Sequence, residues 1–82
     1  MQTKFEKELQ QLKPWDEVQF TRSIGRGYDK ITTSGHGYLV VPKTDIFASN
    51  AKAICEYGFI GKLAYYLEED SELSKFCKSI GE

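Results

Sequence analysis

The chain has 82 residues, enough for one domain, expected to run over residues 1–82. Hydrophobic residues make up 40% and charged residues 28%, the balance of a globular chain rather than a disordered one. Eleven Lys and Arg against twelve Asp and Glu give a formal net charge of −1. That counts against a dedicated nucleic-acid binder, which needs a concentrated surplus of positive charge.

No apolar stretch approaches the roughly 18 residues of a membrane span, and Met1-Gln2-Thr3-Lys4 opens no apolar signal segment. The expected compartment is the cytoplasm. Two cysteines, Cys55 and Cys77, and one histidine cannot assemble a four-ligand zinc site, so no metal and no cofactor are expected. Both cysteines read as free thiols of a reducing compartment. Spacing alone does not decide whether they pair.

Thr3-Lys4-Phe5-Glu6 has the form of a capping box. Phe5, Leu9 and Leu12 follow as one helical stripe, and Pro14 stops the helix near Lys13. The period then changes to alternation, with Val18 and Phe20 on one strand face and Glu17, Gln19 and Thr21 on the other. Gly25-Arg26-Gly27 reverses the chain into a second strand from Tyr28 to Thr33. Ser34-Gly35-His36-Gly37 reverses it again into an apolar third strand over residues 38–41, which Pro42 closes. Short connections favour an antiparallel meander.

Thr44 or Asp45 is placed to cap a second helix with Phe47, Ala51 and Ile54 on one side, and Gly58 suits its end. Residues 59–67 fit either a helix or a buried strand; two glycines and the adjacent tyrosines favour the strand. Leu73, Phe76, Cys77 and Ile80 form the stripe of a last helix, with acidic residues before it and Gly81 after it. The expected fold is α+β, in the order α-β-β-β-α-β-α. A three-strand antiparallel meander and a fourth strand pack with three helices, which requires one sheet face to be covered.

His36 is the one side chain that titrates near neutrality when unperturbed. Gly35 and Gly37 would let a ligand approach it closely, or they simply supply the dihedrals of a turn. Proton transfer needs a partner within hydrogen-bond reach, and the sequence places none there. Ser34 beside it lacks both the Gly-x-Ser-x-Gly elbow and a visible orienting acid. Glu68-Glu69-Asp70 with Glu72 is the densest acidic run, suited to a cation, to a basic partner, or to nothing beyond a solvated helix start. Arg22, Arg26 and Lys30 give the hairpin a basic tilt, with Tyr28 and Tyr38 interleaved as in single-strand binders. An exposed sheet face balanced by nearby acids explains the same pattern.

Trp15, the central Thr33-Ser34-Gly35-His36-Gly37-Tyr38 and the closing Tyr65-Tyr66-Leu67-Glu68-Glu69-Asp70 together resemble a small uncharacterised bacterial and phage family. Its pattern runs from Trp through Thr-Pro-Gly-His-Gly-Gly to Trp-Tyr-Glu-Glu-Asp. Ser34, Tyr38 and Leu67 depart from that pattern. The resemblance implies no activity; it implies an accessory protein of a phage or mobile element. The expected function is therefore a non-enzymatic module that engages a host protein, with Gly35, His36, Gly37, Tyr38, Glu68, Glu69 and Asp70 as its binding face. The alternatives are a small-ligand or hydrolytic site at His36, and nucleic-acid binding through Arg22, Arg26 and Lys30. Self-association through an exposed sheet edge is left open.

Overall fold

Thr3 and Glu6 close the capping box that their spacing predicts. The Thr3 hydroxyl accepts from the Glu6 N–H at 3.1 Å, and the Glu6 carboxylate accepts from the Thr3 N–H at 2.7 Å. They start α1 (Lys4–Leu12) in a computed structural model that describes residues 3–81. The reading made of Met1 and Gln2 lies outside the described residues.

After α1 come β1 (Val18–Gly25), β2 (Tyr28–Thr33) and β3 (Gly37–Pro42), then α2 (Ala48–Ile54), β4 (Phe59–Ile60), β5 (Ala64–Glu68) and α3 (Leu73–Ser79). The five strands form one antiparallel sheet in the order β1-β2-β3-β5-β4. The class is α+β, as the sequence predicts. The β1–β2 turn is tight because Gly25, Arg26 and Gly27 all take positive φ, at 95°, 55° and 79°.

Both faces of the sheet are covered. On one, Val18, Ile31, Tyr38, Val40, Ala64 and Tyr66 meet Leu9 of α1, with Phe5 and Leu12 beside it. On the other, Tyr28, Leu39, Val41, Tyr65 and Leu67 meet Ala51 of α2 and Phe76 of α3. This explains why residues 38–41 and 64–67 read as unbroken apolar runs: their strands lie at the centre of the sheet and bury alternate residues on opposite sides. Among the described residues, no buried side-chain nitrogen or oxygen lacks a hydrogen-bond partner.

Four local expectations are corrected. Phe20 does not share a face with Val18. Val18 pairs with Thr33 and Phe20 with Thr32, so one extra residue of β1 bulges there and inverts the alternation. Residues 59–67 are two strands, not one; a turn separates a two-residue edge strand from buried β5. Neither Thr44 nor Asp45 caps α2, whose N-cap position is Phe47. The Asp45 carboxylate instead accepts from the Phe47 N–H at 2.9 Å and the Tyr28 hydroxyl at 2.7 Å. Gly58 lies beyond the end of α2 at Ile54, and the lack of a side chain matters for a different reason: a Cβ there would run into the Tyr66 carbonyl oxygen. Gly81 does follow the last helix at φ 95°, with its N–H on the Lys78 carbonyl.

Candidate functional site

The turn between β2 and β3 is built on Thr33. Its N–H donates to the His36 carbonyl at 2.8 Å, and its hydroxyl accepts from the His36 N–H at 3.1 Å. The same hydroxyl donates to Asp16 at 2.7 Å, so the turn is tied to the loop between α1 and β1. Asp16 also accepts from the Gly35 N–H at 3.2 Å and from Lys13 Nζ at 2.9 Å, while the Ser34 N–H reaches the Glu17 carbonyl at 2.9 Å. Lys13 donates to the Tyr38 hydroxyl at 2.5 Å and stands over the Tyr38 ring, 4.8 Å from its centroid.

Lys13 and Asp16 are both buried. The hydrogen bonds from Thr33 and Lys13 hold the Asp16 carboxyl down at about 2, well below its ordinary range. Burial pushes the Lys13 ammonium toward neutrality, but its bonds to Tyr38 and Asp16 outweigh that and hold its pKa above the usual lysine value. The ion pair is therefore charged at neutral pH and closes the α1–β1 loop onto the His36 turn.

The end of β5 completes this side of the molecule. Tyr38 pairs with Glu68 across the sheet, and the Glu69 N–H donates to the Gly37 carbonyl at 3.0 Å. His36 Nδ1 lies 3.6 Å from the Glu68 carboxylate, with the imidazole half exposed and the carboxylate mostly covered. Glu69 takes Lys30 Nζ at 2.8 Å. Asp70 is exposed and bonds through its N–H to Glu68 at 2.8 Å. Gly37 is buried, and a Cβ there would strike the Glu69 carboxylate.

Antiparallel pairing thus brings together the two segments singled out from sequence. Glu69, bonded to Lys30, turns to the side covered by α2 and α3, whereas His36 and Glu68 form one contact on the α1 side. Tyr38 supports it from the core, its ring centroid 6.2 Å from that of His36. Of the basic hairpin residues, Arg22 and Lys30 are cross-strand neighbours, Lys30 is shared with Glu69, and Arg26 sits at the turn.

The most exposed part of this end is Trp15, an indole left 73% accessible on the loop that Lys13 and Asp16 lock. Only its place at the head of a resemblance drew attention to it. Lys13 and Asp16 were missed altogether, because a Lys and an Asp three residues apart beside a proline read as solvated charges.

Glu72 is a second surprise. The acidic run reads as a solvated helix start, yet Glu72 is 1% exposed. One carboxylate oxygen accepts from the N–H groups of Glu56 and Tyr57, and the other from those of Gly58 at 3.1 Å and Glu68 at 3.0 Å. Its job is to fix the connector after α2 against the end of β5.

Among the described residues, no cluster of His, Cys, Asp and Glu could hold a metal ion, and no helix is long and apolar enough to cross a membrane. Cys55 and Cys77 are not joined in a disulfide. Burial, with the Glu72 charge beside it, pushes the Cys55 thiol up to about 11.

Fold and site together define a small α+β domain that holds one exposed indole, one imidazole and an acidic strand end on fixed backbone. Comparison with protein-family models, with curated proteins and with solved structures found no match, so this geometry carries the reading that follows.

Proposed function

We propose that the protein is a non-catalytic binding module that engages a protein partner through Trp15, His36 and the Glu68 end of β5. The observation that carries this is Trp15 itself. A 73% exposed indole contributes little to folding, and the loop presenting it is held by a buried Lys13–Asp16 pair. Buried ion pairs are costly to desolvate and are weak evidence of stabilisation, so their best use is to fix one conformation. Tryptophan anchors dominate the binding energy of protein interfaces, and a fixed loop reduces the entropy lost on docking.

The half-exposed imidazole beside Glu68 adds a hydrogen-bonding group, and Asp70 adds negative charge. A basic or polar rim around an apolar socket is the partner surface this arrangement fits. The sequence resemblance noted above is what points to a host protein of a phage or mobile element as that partner. Nucleic-acid binding through the hairpin is less well supported, since Lys30 is engaged by Glu69.

A photo-crosslinking residue placed at Trp15, and separately at exposed Ala53 of α2, tests the reading in cells that carry the protein. The expected result is a discrete protein adduct from position 15 only, lost on His36→Ala or Glu68→Gln. Adducts of the same pattern from both positions, or none from position 15, would refute it.

A further inference from the structure

A second surface lies on the other face of the sheet. There α2 and α3 cover the central strands, but the outer half of the β1–β2 hairpin is left bare. Phe20 and Ile24 of β1 are 49% and 39% exposed, with Arg22 between them. Phe20 is on this face because of the bulge that separates it from Val18. Between the hairpin and α3 runs a groove of about 360 Å³ whose lining includes Ile24, Tyr28, Leu39, Leu73 and Ile80.

The edge of β1 is an obvious docking route, but its backbone is not regular enough to extend the sheet. Register shifts occur at both its ends, between Val18 and Phe20 and between Ser23 and Gly25. Bulges of this kind are how natural sheets protect their edges from strand addition. At the opposite edge β4 is only two residues long. The face of β1 is therefore more available than its edge.

Two features define what would cover that face. The first is width. Two strands about 4.8 Å apart present about one helix diameter, roughly 10 Å, and α2 and α3 already supply the neighbouring helices of the layer. The second is charge. Arg22 lies opposite Lys30 across the hairpin, and Arg26 and Lys30 line the groove, with Lys30 held by Glu69 at 2.8 Å. Asn50 of α2 bonds Ser79, which places α2 on the far side of α3 from this groove.

We infer that this face is a docking site for an acidic amphipathic helix of a partner protein, which would complete the helical layer over β1 and β2. Its apolar stripe would cover Phe20 and Ile24 and enter the groove. Its acidic flank would meet Arg22 and the Arg26 end of the groove, Lys30 being held by Glu69. The inference does not depend on the Trp15 surface, which involves other residues.

The test uses the full chain and two synthetic helical peptides of about 14 residues, each with Leu at i, i+3, i+4 and i+7. One carries Glu on its remaining face and the other Lys. Amide NMR shifts and protection of the Cys77 thiol from alkylation are followed, with far-UV circular dichroism confirming that each variant is folded. The Glu peptide should produce saturable shifts at Phe20, Arg22, Ile24 and Ile80 and slow Cys77 alkylation at least fivefold. Phe20→Ser and Arg22→Glu should each weaken it about tenfold, while Trp15→Ala should not. No saturation at millimolar peptide overturns the proposal, as does equal binding of the Lys peptide or shifts centred on His36. Shifts at Phe20 and Ile24 that follow protein concentration without peptide also overturn it, because a second copy then covers the face.

Discussion

Glu72→Gln is the substitution that best measures how this protein holds its shape. In the wild type, two carboxylate oxygens take four backbone N–H groups, from Glu56, Tyr57, Gly58 and Glu68. A glutamine of nearly the same size keeps one acceptor oxygen and turns an NH2 donor toward the other pair of N–H groups. Two part-buried donors then lose their acceptor, at about 1 kcal/mol each because water can reach them, or about 2 kcal/mol together. A domain of 82 residues has a stability of about 4–12 kcal/mol, so the variant should be folded but markedly weakened. Urea denaturation followed by far-UV circular dichroism is the right assay, because Trp15 is too exposed in the folded state for its fluorescence to report unfolding well. The midpoint should fall with little change in slope, whereas Asp70→Asn, on an exposed side chain, should stay within about 0.5 kcal/mol of wild type. A Glu72→Gln midpoint indistinguishable from wild type would show that the four N–H groups find other acceptors and that Glu72 is no clasp.

Three further outcomes are expected. Asp16 sits at about 2 in the fold against an ordinary 3.8, so the stability it contributes is complete above about pH 4 and disappears as the pH falls through about 2. Urea midpoints between pH 5 and pH 2 should show that decline, and Asp16→Asn should flatten it; the same slope in the variant would contradict the assignment. Burial and Asp45 raise the Tyr28 phenol to about 12, and burial and Glu8 raise Tyr66 as well. For these acids the neutral form is favoured by folding, so stability is full below about pH 10 and is lost as the pH rises toward 12. Absorbance titration of the wild type against Tyr28→Phe and Tyr66→Phe should show that these two phenols ionise only with unfolding, and ordinary titration of both would refute this. Gly58→Ala, whose new Cβ would meet the Tyr66 carbonyl, should lower the melting temperature by at least several degrees, the shift that about 1 kcal/mol produces in a domain this size.

What the sequence reveals of this fold follows the range of the interactions involved. The start of α1 is legible because its capping box and its Phe5, Leu9, Leu12 stripe are local. The central strands are legible because apolar runs over residues 38–41 and 64–67 suit positions buried on both faces. Phe20 is misread because the bulge in β1 arises from its pairing with β2, which no local pattern encodes. The Asp45 cap is misread because the Tyr28 hydroxyl and the Phe47 N–H both bind its carboxylate before α2 begins. His36 and the acidic run are expected on one binding face, but nothing local in the sequence shows what joins them; the pairing of β3 with β5 sets His36 beside Glu68. The Lys13–Asp16 pair escapes notice, and Glu72 reads as part of a solvated helix start, because charged residues are ordinarily on the surface.

Carboxylates that take connector N–H and hydroxyl groups are one device used repeatedly. Among the described residues, Glu6, Glu8, Asp16, Asp45 and Glu72 each tie a connector or helix start to the body. Glu6 joins the start of α1 to Thr21 of β1 at 2.6 Å. Glu8 takes the Lys62 and Leu63 N–H groups and the Tyr66 hydroxyl, which shapes the β4–β5 turn. Burial raises the Glu8 pKa, but these bonds outweigh it and keep the carboxyl below its ordinary value. A domain this small buries only a modest share of its surface, so apolar packing alone leaves its connectors loosely held. A carboxylate can satisfy several backbone N–H groups at once, in places where no strand or helix can reach them. Connectors fixed in this way give up little further entropy when a partner docks. On the proposed reading, the Trp15 loop, tied down by Lys13 and Asp16, is expected to dock with little backbone movement.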